Sequence, residues 1–534
     1  MDLSGSNAWG IVSVVSVLLI ALILANMLKR RIPFIKKSLI PTSVLAGAII
    51  LIVSSIYTIA TGGDYLFNLE FFGSPSKEAL EAVAGLESVS EEDLSLTGLQ
   101  VLEIITYHSL ALGFIATAFK PVQEKLNKKR SAEVFNTGVS TVSTYLLQAI
   151  VGMSVTILAC FLFPKIKEIG LTAYSGVILA FGFGQGTGQA LNFGNAYETI
   201  NNSNPAADNY IEGATALVNG ADFGLSIASL GFISAAIGGV IYLNVTRRRM
   251  RKRFKDADFS ETMTLDKVQT SEELPMESSG VDKITMQLAF ILGSYFIAYG
   301  LLYLLGLLIP GMKSTIYGFN FLIGVLVATI VCFVLRFLKK KGLMKHEYIN
   351  PFLMKRIAGF FFDIMIIAGM AAIRPDTLGK YWHVLLIMAL LGAVATFFYL
   401  KFVAKKLFFK YRHEQFLATY GMLTGTASTG IILLREWDPK FKTPAADNLV
   451  YQNFPAIVFG LPIMLLAAAK VIAVRPYLTF VIFILFFLVM NLILFRSFIF
   501  KRRKKKVVSE STTDVEGMGD AIDTAEIDLG TANE

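Results

Sequence analysis

Eleven separate runs of roughly 20 apolar residues leave this chain few folds to choose from. In chain order they cover about 10–28, 39–60, 99–118, 137–163, 215–245, 284–308, 315–337, 352–373, 381–402, 449–474 and 477–500. Each is long enough to cross the hydrocarbon core of a bilayer as one α-helix, and a helix satisfies its own backbone polar groups there. The expectation is an all-α polytopic membrane protein. Over 534 residues, 54% are hydrophobic and 17% charged, so lipid must be the main solvent.

Charge orients the runs. Basic clusters follow the odd-numbered ones: Lys29–Arg31 after the first, Lys120–Arg130 after the third, Arg247–Arg253 after the fifth, Arg336–Lys345 after the seventh, Lys401–Arg412 after the ninth and Lys501–Lys506 after the eleventh. By the positive-inside rule every odd span ends in the cytoplasm, the N-terminus starts outside and the C-terminus stays inside. The loop between the second and third runs carries Asp64, Glu70, Glu78, Glu81, Glu87, Glu91, Glu92 and Asp93 against Lys77 alone, as an external loop does. The net charge of +9 is spent on this orientation, so nucleic acid is not the expected partner. Cys160 and Cys332 lie inside apolar runs and read as packing residues. The first run has Asp2 before it and its basic residues after it, the reverse of a signal peptide.

Two further apolar segments, 171–194 and 415–434, break the count. If the first crossed, the arginines from Arg247 would face outside; if the second crossed, Lys501–Lys506 would. Each is expected to enter and leave on one side, the first from outside and the second from inside. Glycine-rich, irregular backbone at membrane depth needs protein or a water-filled cavity around it. The segments also resemble each other. At a constant offset of 239, Gly182, Gly186, Thr187 and Pro205–Asn209 match Gly421, Gly425, Thr426 and Pro444–Asn448. Two inverted five-span repeats are therefore expected, each with a glycine-rich re-entrant hairpin, plus one extra C-terminal span. The halves would cover 1–246 and 284–475, with a cytoplasmic linker at 247–283, the additional helix at 476–500 and a disordered cytoplasmic tail at 501–534. In the repeated PAADN, a helix start with Asn204 or Thr443 as N-cap is favoured over an ion site at Asp208 or Asp447.

A helix broken in mid-membrane offers an N-terminus to an anion and a C-terminus to a cation. The pattern therefore predicts co-binding of opposite charges. Side chains beside the breaks, Gln185, Thr187, Gln189, Asn192 and Asn195 in one segment and Thr424, Thr426, Ser428 and Thr429 in the other, add neutral oxygens that suit sodium. Asp222 and Asp363 lie within runs, where an isolated charge costs roughly 2.5–3.5 kcal/mol. Either completes a sodium site, or pairs with a basic side chain such as Lys355 or Arg356, or sits protonated. Glu103 and His108 are weaker candidates.

VILAFGFGQGTGQALNFG and GMLTGTASTGIILL, within a layout covering roughly 10–474, resemble the two re-entrant loops of the glutamate:sodium symporter family. The resemblance implies two inverted five-span halves and sodium-coupled uptake of glutamate or a related amino or organic acid across the cell membrane, and a homodimer. It places Gly184, Gly186, Thr187 and Gly188, with Gly425, Thr426 and Ala427, at the pore-loop positions. Gln185 stands where the family's first loop commonly has histidine, the second loop is rewritten, and the eleventh span and tail are additions. No diphosphate, HExxH, P-loop or nucleophile-elbow motif points to an enzyme. The rival within transport is a sodium/proton antiporter, which broken helices and intramembrane aspartates also suit.

Overall fold

The computed structural model describes residues 6–33, 35, 39–72, 97–119, 128–168, 170–204, 210–253, 282–309, 313–343, 348–438 and 442–496. Among them the chain is helical, with no named strand. In order, the helices are α1 (Ser6–Arg31), α2 (Thr42–Thr61), α3 (Gly98–Ala118), α4 (Lys128–Leu162), α5 (Ile178–Gln185), α6 (Thr187–Glu198), α7 (Gly220–Arg253), α8 (Lys283–Leu308), α9 (Asn320–Lys340), α10 (Pro351–Ala371), α11 (Pro375–Leu407), α12 (Arg412–Leu423), α13 (Ala427–Arg435), α14 (Ala445–Tyr451), α15 (Asn453–Leu466) and α16 (Pro476–Leu494). Nine of the described helices are long and apolar enough to cross a membrane. The molecule is an all-α, multi-pass membrane protein.

Local chemistry sets the boundaries. Thr97 and Gln100 form a reciprocal capping box at the start of α3. Asp282 caps α8 through the amides of Ile284 and Thr285, and Asn350 caps α10 ahead of Pro351. Basic residues occupy the last turns of α1, α9 and α11, where the helix dipole favours them.

Four expectations need correction. The eighth run, α10, is not among the nine helices that qualify as spans, since it carries Lys355, Arg356 and Asp363. The run 449–474 is not one helix: α14, α15 and a four-residue turn at Ala469–Ile472 replace it, with Pro462 inside α15 and an extended Ala468 after it. The fifth span starts at Gly220 rather than 215 and continues past residue 246 to Arg253. Pro444 is itself the N-cap of the second PAADN helix, and Asp447 is in its first turn. The first PAADN, with Asp208, lies outside the described residues, as do most of the expected linker and the whole C-terminal tail.

The helices sort into two bundles. One contains α1, α2, α3, α8, α9 and α10, and the other α4, α5, α7 and α11–α16. The helix α6 lies between them, packing on α5 and α7 on one side and on α3 and α10 on the other.

Candidate functional site at two hairpin tips

The first glycine-rich segment folds into a helical hairpin. Its first arm, α5, ends at Gln185, and Gly186 turns the chain at φ 82° and ψ −167°, a conformation essentially confined to glycine. The arms lie side by side: Phe181 stacks on Phe193 with ring centroids 3.7 Å apart, and Tyr174 meets Tyr197 at 5.1 Å nearer the base. The second segment does the same with different chemistry. There α12 ends at Leu423, and Thr426 caps α13 by accepting from the Thr429 amide at 3.4 Å. Any side chain at Gly421 would stand 2.7 Å from the Gly430 Cα, so these arms are also in backbone contact.

Both hairpins dock on α7, from opposite ends. At its N-terminal end the Glu198 carboxylate, at the base of the first hairpin, accepts from the Ala221 amide at 3.0 Å, and the backbones of Gly194 and Gly220 touch. At its C-terminal end Tyr242 bonds His413 at 2.8 Å and Arg247 reaches the Glu436 carbonyl, both at the base of the second hairpin. Between these ends sits Gly231. A methyl group there would stand 2.7 Å from the Thr424 carbonyl oxygen and 2.9 Å from the Phe183 ring, so one glycine admits both tips. The tips also meet each other. A Cβ on Gly186 would lie 3.5 Å from the Thr426 methyl carbon and 3.8 Å from the Gly425 carbonyl oxygen.

Helices α4 and α10 complete the enclosure. Tyr145 of α4 donates to the Gly184 carbonyl at 3.3 Å, and Gln148, one turn on, donates to the Leu423 carbonyl at 2.7 Å. From α10, the Met365 carbonyl accepts from the Thr187 hydroxyl at 3.2 Å, and Gly369 packs against the same threonine. Gln189, in the first turn of α6, is 0% exposed, and neither of its amide atoms has a hydrogen-bond partner. Leaving a buried amide unsatisfied costs about 1–3 kcal/mol, so such a group marks a place for a polar ligand or water. The N-termini of α6 and α13 therefore converge on one spot, with the C-termini of α5 and α12 beside it.

The expected substrate-contacting residues Gly184, Gln185, Gly186, Thr187, Gly188, Thr424, Gly425, Thr426 and Thr429 belong to these two tips. The Thr187 hydroxyl donates to α10, and the Thr426 and Thr429 hydroxyls lie 3.3 Å apart. Ser428 falls in α13, its side chain outside the described residues. The expected sodium ligands are not gathered there. Asp222 is not well inside a span: it is in the first turn of α7, where the helix dipole favours a carboxylate. Arg374, in the α10–α11 connection, grips both its oxygens, through its backbone amide at 2.9 Å, Nε at 2.8 Å and Nη2 at 2.5 Å. A carboxylate so engaged is a poor sodium ligand. Asp363 lies beside Ser43 of α2, and Asn192 donates to the Gly318 carbonyl at 3.3 Å. His108 bonds the Tyr295 hydroxyl at 2.7 Å, away from the tips.

Arg374, Tyr145 and Gln148 were not singled out from the sequence. Nothing local marks them, because each partner lies tens to hundreds of residues away. The chain matches no protein-family model and no curated protein.

Proposed function

We propose that this protein is a secondary active transporter of the cell membrane, a divergent relative of the glutamate:sodium symporters, which couples inward sodium movement to uptake of a small carboxylate such as glutamate. The observation that carries this reading is the meeting of two hairpin tips at Gly231 of α7, reached from opposite ends of that helix. The N-termini of α6 and α13 give an anionic group unpaired N–H donors and positive dipole ends, while the C-termini of α5 and α12 give a cation carbonyl oxygens. Opposite charges are accommodated together, as symport of a carboxylate with sodium requires.

The inverted repeat is part of this proposal. Of the expected spans, the first three of each half contribute to one bundle, and the last two of each half, with the hairpins, to the other. Such a division is what two copies of one unit with opposite orientation would give. In that arrangement the N-terminus is outside, the C-terminus is cytoplasmic, and the first hairpin enters from outside and the second from inside. Substrate at the meeting tips is then reached from either face in turn.

Uptake of a radiolabelled carboxylate panel into proteoliposomes tests the reading. Glutamate or a related acid is expected to accumulate under an inward sodium gradient and to stop accumulating when choline replaces sodium at a clamped pH gradient. Uptake indifferent to sodium would refute the coupling, and proton movement without any organic substrate would favour antiport.

A further inference from the structure

Gln148 touches both hairpins, and half of its amide is unused. Its Nε2 donates to the Leu423 carbonyl at 2.7 Å and to the Thr396 hydroxyl at 3.1 Å. A carbonyl can only accept, so the amide is oriented by this bond and Oε1 faces away from it. That oxygen is buried, on a residue 0% exposed, and accepts no hydrogen bond. It lies 3.3 Å from where a Cβ on Gly184 would stand, at the C-terminal end of α5. Thus an unsatisfied neutral oxygen is held against the end of one broken helix while the same side chain holds the end of the other. Helix C-termini present carbonyls without intrahelical partners and the negative end of the dipole.

We infer that Gln148 Oε1 is a ligand of the transported sodium ion, at the C-terminal end of α5 beside Gly184. This deepens the sodium-coupled reading and rests on it. Neutral amide and carbonyl oxygens suit a hard monovalent cation, whereas calcium sites are built with carboxylates. The contacts give the residue a second role. With Nε2 on α12 and Oε1 on the cation, Gln148 links occupancy at the first hairpin to the position of the second.

The test uses purified full-length protein in lipid nanodiscs without substrate, read by ²²Na⁺ binding and by the sodium concentration that half-maximally raises the melting temperature, with choline as the ionic-strength control. Wild type is expected to bind sodium saturably. Gln148→Leu is expected to raise the midpoint at least tenfold. Gln148→Glu keeps an acceptor oxygen and is expected to stay within a few-fold of wild type. Thr396→Val, which removes only the other partner of Nε2, is expected to leave the midpoint unchanged. If Gln148→Leu binds sodium like wild type, Oε1 holds a water and the inference fails. If Leu and Glu variants shift alike, only the Nε2 bond matters and it fails too. Wild type that takes up glutamate but binds no sodium overturns the inference and leaves carboxylate transport standing. Sodium binding through Gln148 without any carboxylate uptake supports the inference and sinks the symport reading alone.

Discussion

Gly186, at the tip of one hairpin, lies against Thr426, at the tip of the other, with the threonine methyl 3.5 Å from where a Cβ on the glycine would stand. The two residues are 240 positions apart, and each precedes the first residue of a helix. Their contact is what makes two hairpins into one candidate site.

Substituting Gly186 tests whether that turn is indispensable. At φ 82° and ψ −167° any other residue is strained by about 1–3 kcal/mol, although the space around it would admit a methyl group. Gly186→Ala is expected to lower thermal stability by that amount and to abolish uptake. Gly293→Ala, in α8 where a Cβ meets nothing within 4 Å, is the control and is expected to keep uptake and not to lower stability. Melting curves and uptake at equal amounts of folded protein make the comparison.

Gly231 is constrained by neighbours rather than by dihedral angles. The Thr424 carbonyl is backbone and cannot swing aside, so even Gly231→Ala must push the second hairpin off α7. A destabilisation of about 1–3 kcal/mol is expected, typical of overpacking, together with loss of substrate binding. Unaltered binding would mean that the tips do not need α7.

The Asp222–Arg374 pair gives an asymmetric prediction. The Asp222 side chain is 5% exposed and that of Arg374 31%, so Arg374→Ala removes the charge partner of a buried carboxylate and leaves it the backbone amide of residue 374. The expected cost is about 2–3 kcal/mol, somewhat below the ~3–5 kcal/mol of a fully buried pair. Asp222→Asn is expected to cost less, and the double variant less than the sum of the singles. Additive losses in a double-mutant cycle would show that the two side chains do not interact.

Asp438 links the second hairpin to the loop before α14 and predicts an acid sensitivity. Burial pushes its carboxyl upward, but the Lys442 and Thr443 amides and the Thr443 hydroxyl all donate to it, and the net pKa falls below 3.8. A lowered folded-state pKa contributes stability that is present above the unfolded value and lost as pH falls through the folded one. Wild type is expected to exceed Asp438→Asn by about 1–2 kcal/mol between pH 5 and pH 8. The difference is expected to vanish only at pH values below 3.8. Melting temperatures of both proteins across pH check this, and a gap that widens on acidification would contradict it.

Hydropathy and charge made the helices and the two hairpins legible in the sequence, because a bilayer imposes length and sign on every span. The break at Gly186 was legible for the same kind of reason: a run of glycines in an apolar segment has few structural uses. The partner of Asp222 was not. Arg374 is 152 positions away in a connection between helices, whereas the basic side chains named from the sequence, Lys355 and Arg356, stand close in sequence to Asp363, and Arg356 lies over the Phe352 ring. Gln148 was hidden by its surroundings, since one glutamine in a long apolar helix carries no periodic or spacing signal. The broken tenth run misled because hydropathy averages over Pro462 and the extended Ala468.

The proposed alternating access to the joined tips can be read directly at Ala427. It is exposed, directly follows Thr426 and begins α13. In a background lacking Cys160 and Cys332, Ala427→Cys in oriented membrane vesicles would be treated with an impermeant thiol reagent on one side at a time, with and without sodium and glutamate. Labelling is expected from both faces, slowed from both by sodium plus glutamate. Ser203→Cys, reactive only from outside, and Lys442→Cys, reactive only from inside, calibrate the two faces. Labelling of Ala427→Cys from the inside alone, unaffected by substrate, would contradict a single site shared by the two hairpins.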